Sequence, residues 1–186
     1  KYHLVPFGEF IPPLFRWFTD LMNIPLGDFS RGVLNPPSFP VGTQRVGPNI
    51  CYEDLFGEEL ARRFVDPAAA PTLLANISNI GWFGESIAVD QHLHISRLRS
   101  LELQRPMVRA TNTGATAVID HRGAVTPLHT CQQHAARVQG REGNTPFASW
   151  ASRAGLWPLA LLAALAVAVL AWKSRLSARS APAAPA

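Results

Sequence analysis

Cys51 closes the apolar run Arg45-Val46-Gly47-Pro48-Asn49-Ile50 and is followed at once by Tyr52-Glu53-Asp54. The acidic residues read as the start of a helix over Tyr52 to Val65, which puts the thiol at a strand-to-helix turn. Free N–H groups at such a turn favour a thiolate and can hold an oxyanion, so Cys51 is a candidate nucleophile. The competing readings are a buried cysteine that packs as a small hydrophobe and a Cys51–Cys131 disulfide. Cys131 lies in the polar stretch Thr130 to Gln139, which reads as surface. Glu53 is either a site residue or a first-turn acid favoured by the helix dipole, and Tyr52 is a candidate for shaping a pocket. Glu9, bracketed by Phe7, Gly8 and Phe10, reads as partly buried, and a buried carboxylate needs a partner; Lys1 is the natural one. His3, His92 and His94 are possible metal or base residues, but a lone histidine is more often a packed or hydrogen-bonded structural residue, and they read as structural. His92-Leu93-His94 has a spacing that splits the pair across a helix, and no Cys or His set has metal-ligand spacing, so neither a metal nor a cofactor is expected.

These residues need elements to carry them. Gln44 to Ile50 and Thr72 to Ile77 read as strands, although Pro48 removes one ladder hydrogen bond. After the turn Gly81-Trp82-Phe83-Gly84, a helix is predicted over Ser86 to Leu103, with Ile95, Leu98 and Leu101 inward, ending before Arg105 because that residue precedes Pro106. Met107 to Thr111, Ala115 to Asp120 and Ala124 to Leu128 read as strands joined by tight turns at Asn112-Thr113-Gly114 and Asp120-His121-Arg122-Gly123. Upstream, Leu14, Trp17, Phe18, Leu21 and Met22 predict a short amphipathic helix after Pro13, which is either ordinary core or a surface that touches lipid. Asp28 to Thr43 reads as a loop or edge segment, and Gln132 to Ser152 as a polar, turn-rich lead into the apolar segment near the C-terminus. Strands alternating with helices and then hairpins argue for α/β or α+β.

The chain has 186 residues and a formal charge of +4. Lys173, Arg175 and Arg179 near the C-terminus supply three of those charges, leaving +1 upstream, so nothing supports nucleic-acid binding. Leu156 to Trp172 is uncharged, apolar all round, flanked by Trp157 and Trp172 and followed by Lys173. It reads as a membrane span, with a buried core helix as the alternative. By the positive-inside rule the tail is cytoplasmic and the preceding domain lies on the opposite, periplasmic face. The start at Lys1, without an initiator Met, reads as the C-terminal portion of something longer.

Lys1-Tyr2-His3-Leu4-Val5-Pro6-Phe7-Gly8-Glu9, Cys51-Tyr52-Glu53, Ile77-Ser78-Asn79-Ile80-Gly81-Trp82-Phe83-Gly84 and Arg105 to Gly114, in this order, resemble the nitrilase superfamily and, within it, the family of apolipoprotein N-acyltransferases. The resemblance runs from Lys1 to Leu128 and resumes in the apolar segment. It implies an α/β fold, the C-terminal part of a nitrilase-like α-β-β-α sandwich followed by one transmembrane helix. The division would be a catalytic domain over 1–150 with its N-terminal part missing, a transmembrane helix over 154–172 and a basic, Ala/Pro-rich cytoplasmic tail over 173–186. It further implies a Glu-Lys-Cys triad with Cys51 as nucleophile and Lys1 as the lysine. Its glutamate would lie upstream of this chain, leaving the fragment inactive alone. Glu9 would orient Lys1, and Trp82 and Phe83 would wall a pocket near the thiol. The implied reaction takes an acyl chain from a phospholipid donor through a Cys51 thioester to the amine of a diacylglyceryl apolipoprotein, in a bacterial inner membrane, by a monomer. A membrane-tethered amidase and a non-catalytic binding module are the alternatives. Asn79-Ile80 and Asn49 depart from the family pattern, which usually has Asn-Asp and an apolar residue there.

Overall fold

The computed structural model describes residues 1–4, 30–128 and 136–179, with the backbone alone for Trp82 and residues 175–179. Glu9, Cys131 and the helix expected after Pro13 lie outside the described residues. The described strands are β1 (Phe39–Val41), β2 (Gln44–Ile50), β3 (Leu73–Ser78), β4 (Met107–Thr111), β5 (Ala117–Ile119) and β6 (Val125–Pro127), and they form one sheet in that order. β2, β3 and β4 run parallel; β1, β5 and β6 add antiparallel edges. Parallel neighbours need crossovers, and the segments after β2 and β3 supply them. Cys51 and the Gly81–Phe83 turn therefore leave the sheet at the same carboxyl edge, the edge where open α/β sheets build their sites.

Period-two alternation sends Asn49, Asn76 and Arg109 to the buried face. The register pairs Asn49 with Asn76 and Asn76 with Arg109, so three polar residues form one row across the parallel strands. The helix α2 (Ile87–Leu103), with Ser86 at its N-cap, lies over this row. Its boundaries match the expectation, but its orientation does not. His92, Ser96, Ser100 and Leu103 are its buried residues, whereas Leu98 and Leu101 are 50% and 40% exposed. The reason is the polar row beneath: buried polar groups need partners, and the helix turns its own polar stripe toward them. It ends at Gln104 in the left-handed region, with Arg105 and Pro106 carrying the chain into β4.

The helix expected over Tyr52 to Val65 is broken into a 3-10 turn at Cys51–Leu55, the short helix α1 (Gly57–Ala61) and a second 3-10 turn at Arg62–Phe64. The break falls at Phe56, whose φ of −96° and ψ of 75° are non-helical. Next to it, a Cβ on Gly57 would stand 2.5 Å from the Arg99 guanidinium, which packs against the bare backbone there. A further helix, α3 (Pro146–Ala154), appears inside the stretch read as a polar lead. Thr145 caps it, accepting from Ala148 N–H at 3.0 Å, with Pro146 in the first turn. Ala148 and Ala151 close the apolar core formed by Leu60, Ala61, Phe64, Leu74, Leu103, Met107 and Ile119.

The last helix, α4 (Trp157–Arg179), contains an 18-residue apolar window, Trp157–Ser174, of which none is buried. At 1.5 Å per residue its 23 residues reach roughly 34 Å, enough to cross a bilayer core of about 30 Å. The fold is mixed α/β with one helix of this kind among the described residues, and its helices α1 to α3 pack with one sheet, as in one half of an α-β-β-α sandwich. Ile50 and Ile77 stand 39% and 61% exposed, pointing to the face opposite the polar row.

Candidate active site

Cys51 is the first residue after β2 and carries φ 61°, a left-handed conformation that costs a non-glycine residue about 1–2 kcal/mol. Its carbonyl accepts a hydrogen bond from Asn76 Nδ2 at 2.9 Å, and the same Nδ2 donates to Asn49 Oδ1 at 2.5 Å. Asn49 and Asn76 thus tie the end of β2 to the turn through one shared amide N–H. Cys51 carries a free thiol and is half-buried. Burial pushes this thiol up, but the His92 side chain, the Lys1 charge, the Tyr52 backbone and the Ser78 hydroxyl outweigh it and hold the thiol below its ordinary value.

Lys1 reaches the site through a clamp. Glu53 Oε1 accepts from the backbone N–H of Tyr2 at 2.6 Å and of His3 at 3.2 Å, while its Oε2 accepts from Ile50 N–H at 2.7 Å. One carboxylate therefore ties the 1–4 segment to the end of β2. The Tyr52 hydroxyl donates to the Leu4 carbonyl, and the Lys1 ammonium lies 5.1 Å from the centre of the Tyr52 ring, a cation–π distance. His3 stacks on Phe56 with ring centres 3.9 Å apart and pairs with Glu59 at 2.6 Å, so it is structural as expected. Lys1, Glu53, Glu59, Ile50 and Phe39 help line a cavity of about 200 Å³ beside the clamp, and Cys51 is not among its lining residues.

The structure brings Cys51, Lys1, Tyr52 and Glu53 together. Phe83 sits in the turn beyond β3 and is 46% exposed, and Glu9 lies outside the described residues. The turn is pinned by the Asn112 side-chain amide. Asn112 Nδ2 donates to Asn79 Oδ1 at 2.7 Å, and Asn112 Oδ1 accepts from the N–H groups of Ile80 and Gly81 at 2.9 and 3.2 Å. Ile80 is fully buried. Among the described residues no three His, Cys, Asp or Glu side chains group as metal ligands would.

Sequence reasoning missed the layer under the thiol. Arg109 is fully buried and donates to Ser96 Oγ at 2.6 Å, to Asn76 Oδ1 at 3.2 Å and to His92 Nδ1 at 2.9 Å, with Asp54 Oδ2 at 3.6 Å. Ser96 Oγ in turn donates to Asp54 at 2.5 Å. Burial pushes the Asp54 carboxyl up to about 6 against the opposing pull of Ser96, Arg109 and Arg99. The available signal was the i, i+4, i+8 spacing of His92, Ser96 and Ser100, a polar stripe at helical period.

A thiol at a strained turn on the carboxyl edge of a parallel α/β sheet, beside a clamped lysine, defines the type of fold and site. The model of the carbon-nitrogen hydrolase family matches residues 1–136, and the chain belongs to that family. It is similar to the apolipoprotein N-acyltransferase of Verminephrobacter eiseniae, 60% identical over 84% of this chain and 31% of that protein. The apolipoprotein N-acyltransferase of Ralstonia nicotianae is 56% identical over 89% of this chain and 33% of its own length. The chain thus spans about a third of the curated relatives it matches. Among solved structures, a CN-hydrolase superfamily protein from Xanthomonas campestris aligns over 77% of this chain and 54% of its own, with a TM-score of 0.45 and 16% identity.

Proposed function

We propose that residues 1–150 form the catalytic part of an apolipoprotein N-acyltransferase, that 154–172 span the membrane and that 173–186 are a cytoplasmic tail. The observation that supports this best is a free, half-buried thiol at a left-handed turn beside a clamped lysine, in a chain that also carries an exposed apolar helix of membrane length. The Cys51 thiolate attacks the ester carbonyl of a phospholipid, and the oxyanion that forms is stabilised by the Lys1 ammonium and the Tyr52 N–H. Collapse breaks the ester C–O bond; the leaving alkoxide takes a proton from a glutamic acid outside this chain and departs as lysophospholipid, leaving a Cys51 thioester. The α-amine of a diacylglyceryl-cysteine then attacks, its proton passes to that glutamate, and the C–S bond breaks to give the amide and the thiolate. Glu9 orients Lys1, and Trp82 and Phe83 wall the acyl site near the bilayer. Lys173, Arg175 and Arg179, which follow the 154–172 span, put the tail in the cytoplasm and Cys51 on the periplasmic side of a bacterial inner membrane.

The test is trapping of a hydroxylamine-labile acyl adduct from labelled phospholipid, with the protein in its native membrane. Cys51→Ser and Lys1→Ala are expected to lose the adduct while still inserting. An adduct that persists in Cys51→Ser removes Cys51 from the reaction, and an adduct that water clears faster than amine points to an amidase.

A further inference from the structure

Two buried side chains each carry a polar atom without a hydrogen-bond partner among the described residues, His92 Nε2 and Ser78 Oγ, and both bear on the Cys51 thiol, Ser78 from the β3 position that follows the Ile50–Ile77 pair. They come from different elements, His92 from the buried stripe of α2 and Ser78 from the last position of β3. An orphaned buried polar group is costly, and a charge on the neighbouring sulfur would find two donors with no competing partner. The His92 tautomer follows from its other nitrogen. Arg109 has only donors to offer, and its Nη2 lies 2.9 Å from His92 Nδ1, so Nδ1 accepts and Nε2 carries the hydrogen. His92 therefore faces the thiol as a donor and cannot act as the base of a Cys-His pair.

The same Arg109 donates to Asn76, which donates to the Cys51 carbonyl, so one buried guanidinium sets both the imidazole and the backbone of the nucleophile. We propose that His92 and Ser78 form a donor pair for the Cys51 thiolate, distinct from the groups that hold the oxyanion, and that Arg109 and Asn76 position it. The inference rests on the reading of Cys51 as the nucleophile. The pair stabilises sulfur whenever it carries the negative charge, before attack and again as the leaving group when the amine opens the thioester. No proton needs to move within the pair, since both groups donate to charge and keep their hydrogens.

The experiment reads the thiol directly, in the full protein in its membrane: the rate of Cys51 alkylation by iodoacetamide against pH, quantified on the Cys51 peptide. The charged groups around the sulfur are Lys1 on the 1–4 segment, Arg109 on β4 and, through Arg109, Asp54 in the turn; all stay in place in the variants. His92→Asn keeps an acceptor for Arg109 but withdraws the donor from sulfur. A hydrogen bond to a charged group is equivalent to about a ten- to hundredfold change in thiolate fraction, partly offset by the greater nucleophilicity of a more basic thiolate. The expected result is a profile displaced to higher pH, with alkylation about three- to tenfold slower at neutral pH. His92→Gln, whose amide N–H can stand where Nε2–H stood, should recover part of the rate. Ser78→Ala should shift the profile in the same direction, and it decides the question if His92→Asn fails to insert. An unmoved profile in His92→Asn, or in Ser78→Ala alone where that variant decides, overturns the proposal, as does a His92→Gln profile displaced as far as that of His92→Asn. The nucleophile reading fails separately, by an acyl adduct that survives Cys51→Ser.

Discussion

Replacing Arg109 with methionine isolates what the buried network contributes. Methionine has comparable length and flexibility and fills the space without a charge. His92 Nδ1 and Asn76 Oδ1 would lose their donor, and Asp54 would lose the cation 3.6 Å away while keeping Ser96. Each orphaned buried acceptor costs about 1–3 kcal/mol, and breaking a buried ion pair about 3–5 kcal/mol. These penalties overlap because one group causes them all, so the expected loss is about 3–5 kcal/mol, or roughly 6–20 °C in Tm for a domain of this size. The pH dependence carries the sharper test. In the native protein the Asp54 carboxyl is raised from 3.8 to about 6, chiefly by burial. The folded state holds that proton more tightly than the unfolded chain, so the associated stability is full below pH 3.8 and lost as pH rises through about 6. At 1.36 kcal/mol per unit the loss is on the order of 3 kcal/mol. Without the guanidinium, which opposes that rise, the carboxyl stays protonated to higher pH and stability goes on falling above 6. The defect of Arg109→Met should therefore be constant below about pH 6 and grow above it, and adding Asp54→Asn should abolish the growth. Thermal unfolding of the detergent-solubilised protein at pH 5 and pH 8 measures both. A defect under about 1 kcal/mol, or one that does not grow between those pH values, refutes the reasoning.

Two further outcomes follow from backbone geometry at the turn. Cys51→Gly and Cys51→Ala both lose the thiol, but only glycine is at ease at φ 61°; Cys51→Gly should be the more stable by about 0.5–1 kcal/mol after the greater entropy of its unfolded chain is counted, and thermal unfolding of the pair would show otherwise if Ala ranks first. Glu53→Gln puts an amide where two backbone N–H donors and a third from Ile50 converge, so one of them loses its acceptor. Loosened, the 1–4 segment no longer holds Lys1, and single-turnover acyl-enzyme formation should fall about ten- to hundredfold with membrane insertion unchanged; a near-normal rate would separate the clamp from the chemistry.

Local pattern carried much of this molecule. The Gln44–Ile50 and Met107–Thr111 strands, the span of α2 and its stop before Pro106, and the turn that presents Cys51 were all legible, because alternation, proline and turn residues act on the chain within a few residues. The orientation of α2 was not. Apolar periodicity points Leu98 and Leu101 inward only if the interior is apolar, and here the interior next to the site is the row Asn49, Asn76 and Arg109, which exists only once three parallel strands are in register. α3 was hidden for a related reason: its Thr145-Pro146 start was readable, but its alanines gain stability only from a core assembled by residues far away in the chain. The sequence alone determined that position 51 is a thiol at a turn. Its left-handed backbone, the Glu53 clamp that brings Lys1 to it and the His92 and Ser78 donors beneath it were decided by the tertiary structure, since hydrogen bonds between distant segments have no signature in the spacing of either one.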